Sequence, residues 1–308
     1  RDLSLVRWRV YHLRAMSARI GIDLGGTKIE GVVLDPAGGI VVRRRIATEQ
    51  EHGYEHIVGR VAQLVESLVT ECGWVDVVGI GTPGALTRAG TLKNSNTVCL
   101  NGRPFLADLE RRLGLRVRIE NDANCFALAE ARLGAGRGAA LVFGVILGTG
   151  VGGGIVHRGE LIVGPQRLAG EWGHHCIDAA GPECFCGQRG CVETYISGPA
   201  IARHYHARSG RQLPSEEIFA AARRGEPAAA AELERFLDRF GRALANIVDI
   251  LDPDAIVLGG GLSNVEELYD GGIAAVRRYV CNDELITPIR RHQLGDSAGV
   301  IGAALLSQ

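Results

Sequence analysis

Ile20-Gly-Ile-Asp23-Leu-Gly25-Gly26-Thr27-Lys28-Ile-Glu-Gly31-Val-Val-Leu-Asp35 decides the fold. An apolar run ends in an acid, a glycine pair follows, and a second apolar run begins directly after it. This reads as strand, tight turn, strand. The design returns at Leu141 to Leu147, Gly148-Thr149-Gly150-Val151-Gly152-Gly-Gly154 and Ile155-Val-His157. Two like hairpins predict two related lobes.

Between the hairpins the spacing predicts a helix over 54–71, with apolar residues at Ile57, Val58, Val61, Leu64, Val65 and Leu68. A strand over 75–80, a helix over 105–113, a strand over 116–119 and an apolar helix over 125–133 follow. Residues 197–245, rich in Ala, Arg and Glu, read as several helices. Asp254 to Leu262 reads as a buried strand running into Gly259-Gly260-Gly261, and 295–306 as a terminal helix able to return to the first lobe. The expected division is an extension over 1–17, an N-terminal α/β lobe of 18–130 plus 295–308, and a larger C-terminal lobe of 131–294. With no long polar linker between them, the lobes are expected to meet at a hinge beside a cleft. Met16 is the only methionine and the regular pattern starts just after it, so translation is expected to start there.

The 308 residues carry a net charge of −1, and the 34 basic residues are scattered, so no nucleic-acid footprint is expected. No apolar run reaches the roughly 20 residues of a membrane helix, and a cytoplasmic location is expected. Eight cysteines in such a chain read as thiols or metal ligands. Cys72, Cys99, Cys125 and Cys281 are scattered, whereas Cys184, Cys186 and Cys191 are clustered, with Cys176 upstream.

Phosphates approach a backbone most closely where no Cβ intrudes and successive N–H groups face the anion. Gly25, Gly26, Thr27 and Lys28 fit that role, as do Gly148, Thr149, Gly150, Val151 and Gly152. Neither loop has Walker spacing, and neither is a Rossmann fingerprint, because a strand follows each. The actin/hexokinase nucleotide cleft uses one such hairpin from each lobe. Gly259, Gly260 and Gly261 suit the adenosine end, and Asp23 suits the Mg²⁺ of Mg-ATP. Glu120-Asn121-Asp122-Ala-Asn124 follows a strand and opens a helix, so Asn121 or Asp122 is expected at its N-terminus, where an N-cap is the ordinary role. Phosphoryl transfer also needs a carboxylate to take the acceptor's proton.

Six motifs in order, Asp23-Leu-Gly-Gly-Thr-Lys, Gly81-Thr-Pro-Gly84, Asn121-Asp122-Ala-Asn, Gly148-Thr-Gly-Val-Gly-Gly-Gly, Glu171-Trp-Gly-His174 and Cys184-Phe-Cys-Gly-Gln-Arg-Gly-Cys191-Val-Glu193, resemble the signature set of the ROK sugar kinases. The resemblance runs from Ile20 to about Leu306. It implies a duplicated actin/hexokinase-like (ribonuclease H-like) α/β fold with a cleft between the lobes. It implies ATP, Mg²⁺ and structural Zn²⁺, and Asp122 as the general base. Gly84, Asn96, Asn121, Glu171, His174 and Glu193 are implied at the sugar. Three thiolates at Cys184, Cys186 and Cys191 need a fourth ligand for a closed tetrahedral site. His175 and Cys176 are neighbours, but the resemblance points to His174.

Gly81 to Gly84 and Lys93-Asn-Ser-Asn96, together with Glu171-Trp172-Gly-His174, look closest to the fructokinase (manno(fructo)kinase) branch, so fructose is the expected acceptor. The Asn121 and Gly148 motifs are shared with N-acetylglucosamine kinases, and glucose is a further candidate. The family also contains sugar-responsive repressors with a helix-turn-helix domain ahead of the kinase-like body. With the first strand expected at Ile20, the enzyme reading is preferred. A homodimer is expected from the resemblance.

Overall fold

The computed structural model describes residues 18–73, 75–95 and 97–307. The extension over 1–17 and Asn96 lie outside the described residues. The chain forms two compact units: the first holds 18–129, Val163–Leu168 and 296–307, the second Glu130–Ile162 and Ala169–Gly295.

In the first unit β1 (Arg19–Leu24), β2 (Lys28–Leu34), β3 (Ile40–Ala47), β4 (Val77–Thr82) and β7 (Arg116–Asn121) form a sheet of order β3-β2-β1-β4-β7. A two-stranded ribbon of β5 (Ala85–Leu86) and β6 (Leu92–Lys93) stands apart from it. The β1, β2 and β3 strands run antiparallel in sequence, whereas β1, β4 and β7 are parallel. Helices α1 (Tyr54–Cys72), α2 (Phe105–Leu113) and α3 (Asp122–Leu133) accompany the sheet. The apolar stripe of α1 is buried as its spacing predicts. Gly31 admits it: a Cβ there would meet Leu68 at 2.8 Å and Leu64 at 3.1 Å.

Helix α3 starts at Asp122, so Asn121 and Asp122 stand at its N-terminus as expected and the apolar run follows within it. The Asn121 side chain accepts the Asn124 N–H at 2.7 Å, an N-cap bond, and the acid after it suits the positive helix end. The cap sets the start at the polar residues that precede the apolar run.

In the second unit β8 (Leu141–Leu147), β9 (Val151–His157), β10 (Glu160–Leu161), β11 (Ala255–Gly259) and β12 (Ile289–Arg291) form a sheet of order β10-β9-β8-β11-β12. Its pattern repeats that of the first: β8 and β9 are antiparallel, as are β9 and β10, and β8, β11 and β12 are parallel. The duplication read from the two hairpins therefore extends over whole sheets. The segment 193–279 carries α4 (Glu193–Ile196), α5 (Gly198–Ser209), α6 (Ser215–Arg223), α7 (Pro227–Leu251) and α8 (Gly271–Tyr279). Phe143, Trp172, Tyr205, Phe219, Phe236 and Phe240 fill its core. Helix α9 (Ala298–Leu305) closes the chain within the first unit. No helix among the described residues is long and apolar enough to cross a membrane.

Candidate active site

In the first unit the turn after β1 is closed by Gly25 N–H donating to the Lys28 carbonyl at 3.0 Å, and the Thr48 hydroxyl donates to the Gly25 carbonyl at 2.7 Å. Thr27 and Lys28 are exposed beside it. Asp23 stands at the end of β1, where burial first, and then the charges of Asp122 and Glu30, push its carboxyl up from 3.8 to about 6. Asp122 opens α3, and its Oδ1 accepts the Ala123 N–H at 2.8 Å. The two acids thus feel each other from the ends of neighbouring elements. Cys125, one turn into α3, is fully buried, and its thiol is pushed well above the usual range, by burial first and then by Asp23, Glu120 and Asp122.

Asn121 commits its Oδ1 to capping, which leaves its amide nitrogen for a ligand. Gly84, expected at the sugar, has φ +85°, and a Cβ there would strike the Lys93 carbonyl and press on Ser95 N at 2.7 Å. Its glycine is required by the turn against β6.

In the second unit the turn between β8 and β9 is closed by Gly148 N–H to the Gly150 carbonyl at 3.0 Å, and Gly198 N–H donates to the Gly148 carbonyl at 2.9 Å. A cavity of about 420 Å³ opens here, lined by Gly148, Thr149, Gly198, Pro199, Ser215, Glu216 and Gly261 among others. It joins the second glycine turn, the N-terminus of α5 and the turn after β11. Of the three glycines expected at the adenosine end, Gly259 ends β11, Gly261 lines the cavity, and Gly260, at φ +79°, turns the chain against the Leu147 backbone. Gly198, Pro199, Ser215 and Glu216 were absent from the sequence reading. The Ser197-Gly-Pro start of α5, where the Ser197 hydroxyl accepts the Ala200 N–H at 3.3 Å, is the local signal that could have marked them.

His174, Cys184, Cys186 and Cys191 bring one ligand atom each within 4.8 Å of the others. His174 Nδ1 lies 3.5 Å from Cys184 Sγ, and Cys186 Sγ lies 3.6 Å from Cys191 Sγ. Tetrahedral thiolates at a zinc–sulfur distance of about 2.3 Å stand about 3.8 Å apart, so these spacings fit a closed four-ligand site and are far too long for a disulfide. His175 instead meets Asn246 at 3.3 Å, and Cys176 is exposed. The turn carrying His174 is fixed from below: Trp172 Nε1 donates to the Gly152 carbonyl at 2.9 Å, and Gly173 packs on the Val151 carbonyl. With Nδ1 turned to the thiols, Nε2 of His174 is the nitrogen left for another partner. Glu193 accepts the Val151 N–H on Oε2 at 3.0 Å, which leaves Oε1. Glu171 stands at the head of the same turn as His174, its carbonyl accepting the His174 N–H at 3.2 Å.

Two sheets of one strand order, each with a glycine turn between its first two strands, define an actin/hexokinase-like fold. The chain belongs to the ROK family, whose profile matches residues 19–308. It is 38% identical to an N-acetylgalactosamine kinase of Shewanella over 93% of this chain and 95% of that protein. It is 40% identical to an N-acetyl-D-glucosamine kinase of Yersinia pseudotuberculosis over 93% of this chain and 97% of the relative. Among solved structures, a ROK family glucokinase from Streptomyces griseus in complex with glucose and AMPPNP superposes with a TM-score of 0.76 at 32% identity. That match covers 94% of this chain and 99% of the other.

Proposed function

We propose that this chain is an ATP-dependent sugar kinase that transfers the γ-phosphoryl group of Mg-ATP to a hydroxyl of an N-acetylhexosamine, N-acetylglucosamine first. The observation that carries the reading is that one unit sets Asp23 at the end of β1, beside a glycine turn, and Asp122 at the start of α3. In this reading Asp23 holds Mg²⁺ directly or through water, and Asp122 takes the acceptor's proton. Because the proton leaves late in a loose transition state, Asp122 needs correct placement more than a raised pKa.

Within the second unit, the cavity lined by Gly148, Thr149 and Gly261 is read as a nucleotide site. In the same unit Glu171, Nε2 of His174 and Oε1 of Glu193 are read as groups for sugar hydroxyls. The Cys₃His set is read as a structural zinc site that holds His174 and, through the cysteine loop, Glu193 in place. The amino-sugar reading is preferred over the expected fructose because the curated relatives named above are kinases of N-acetylglucosamine and N-acetylgalactosamine.

The test is a coupled ADP-release assay with Mg-ATP against N-acetylglucosamine, N-acetylgalactosamine, glucose, mannose and fructose, run beside Asp122→Asn. The variant should lose about 10²-fold or more in kcat, the range of a general base, with both KM values nearly unchanged. A variant keeping over about a tenth of the activity removes Asp122 from the role of base. Preference for fructose would move only the acceptor assignment. Sugar binding without ADP release would favour a sugar-responsive regulator.

A further inference from the structure

Arg167 adopts φ +56°, in the left-handed region that a residue with a side chain seldom occupies. Its guanidinium forms an ion pair with Glu120, and Nη2 also donates to the Ile119 carbonyl at 3.3 Å. The pair is largely shielded, its side chains being 30% and 13% exposed. The second Glu120 oxygen accepts from Asn124 Nδ2 at 3.2 Å, and the Asn124 N–H is held by Asn121 Oδ1 at 2.7 Å. This run of bonds brackets Asp122, touching residues 119, 120 and 121 before it and Asn124 after it. In the chain, Arg167 stands four residues before Glu171.

We propose that Arg167 is a positioning residue for the acceptor reaction. It fixes the β7–α3 junction that carries Asp122 and the point from which the chain runs on to Glu171. The inference rests on the kinase reading above. The two N–H groups of Arg167 Nη2 serve the Glu120 carboxylate and the Ile119 carbonyl together, at a reach that the shorter Lys side chain matches only in part. A shielded pair of this kind holds its geometry better than an exposed one, whose contribution is small. Without the guanidinium, the strand end beside Asp122 loses its outer tie. A base displaced by about 1 Å can lose up to about 10²-fold in rate.

The left-handed backbone supplies a discriminating variant. Glycine adopts φ +56° without strain, so Arg167→Gly keeps the turn while deleting the guanidinium. Wild type, Arg167→Gly, Arg167→Lys and Glu120→Gln are compared for melting temperature and for the KM of each substrate. Arg167→Gly should still melt cooperatively, somewhat below wild type because Glu120 loses its partner, yet at the assay temperature the folded enzyme should lose about tenfold or more in kcat/KM for the sugar while its ATP KM stays within about twofold. Arg167→Lys should recover part of the loss, and Glu120→Gln should reproduce it. Wild-type sugar kinetics in both Arg167→Gly and Glu120→Gln overturn the inference, and so does a rise in ATP KM as large as any rise in sugar KM. Wild-type protein that phosphorylates none of the sugars brings down the kinase reading itself.

Discussion

Glu193 accepts the backbone N–H of Val151 on Oε2 at 3.0 Å, so the acid that follows the cysteine loop is bonded to the residue that leaves the second glycine turn. One side chain therefore ties the expected phosphate loop to the expected sugar site within a single unit.

Gly150→Ala tests this tie. A Cβ at Gly150 would lie 2.7 Å from Glu193 Oε2, too close for the carboxylate to stay. The end of a flexible side chain yields cheaply, so stability should change little. The Val151 bond is lost all the same, and KM for ATP and for sugar should rise together by about tenfold. Initial-rate kinetics with each substrate varied in turn would decide, and two unchanged KM values would show that the bond is idle.

The acid end of the first unit carries a pH signature. Asp23 ionises at about 6 in the fold against an ordinary 3.8, so the folded state favours its protonated form. Below pH 3.8 the residue is neutral in both states and costs nothing. Between 3.8 and about 6 the unfolded chain releases the proton first, and above about 6 the folded protein bears a cost of about 3 kcal/mol. Asp23→Asn escapes this cost. Its stability advantage in the absence of Mg-ATP should be near zero at pH 4, grow to pH 6 and level off above, while activity is lost. Urea melts at a series of pH values measure it, and a flat difference would contradict the raised carboxyl.

The glycine turns and the duplication were legible because strand, turn and strand are local patterns of short period. Strand β3 was not: its burial along 40–47 is mostly exposed, and Arg43-Arg44-Arg45 gives no apolar alternation. It is an edge strand whose charges suit an edge, with Arg43 and Arg45 both bonded to buried Glu30. His174, the fourth member of the Cys₃His cluster, was named from the family pattern, since spacing alone left His175 and Cys176 open. The Arg167–Glu120 pair joins residues far apart in sequence, and so does the cavity shared by Gly148, Ser215 and Gly261. Tertiary packing alone brings such residues together.

The cysteine loop should reveal itself by composition and by kinetics. Cys184→Ser and Cys186→Ser should each lower bound zinc, read by elemental mass spectrometry, and lower the melting temperature. Because the loop holds His174 and leads to Glu193, sugar KM should rise by about 10–100-fold, the usual range when supporting groups of a metal site are lost, while ATP KM holds. Full activity in protein stripped of zinc would remove the metal from the acceptor site.

The terminal helix offers the sharpest steric test. Gly21 and Gly79 are register partners on β1 and β4, and both face α9. A Cβ at Gly79 would land on the Ala303 carbonyl, and one at Gly21 on Ala304 N and the Val300 carbonyl. Backbone atoms of a buried helix cannot swing aside as a carboxylate can. Alanine also narrows the unfolded ensemble, which offsets the loss by only about 0.4–1 kcal/mol. Each single substitution should therefore cost about 3 kcal/mol in urea unfolding, at the upper end for overpacking. If both displace the same rigid helix, the double variant should cost clearly less than the sum, because the helix has already moved for the first. Full additivity would mean that α9 yields at two independent points, and a neutral Gly79→Ala would mean that it is not seated against the sheet as described.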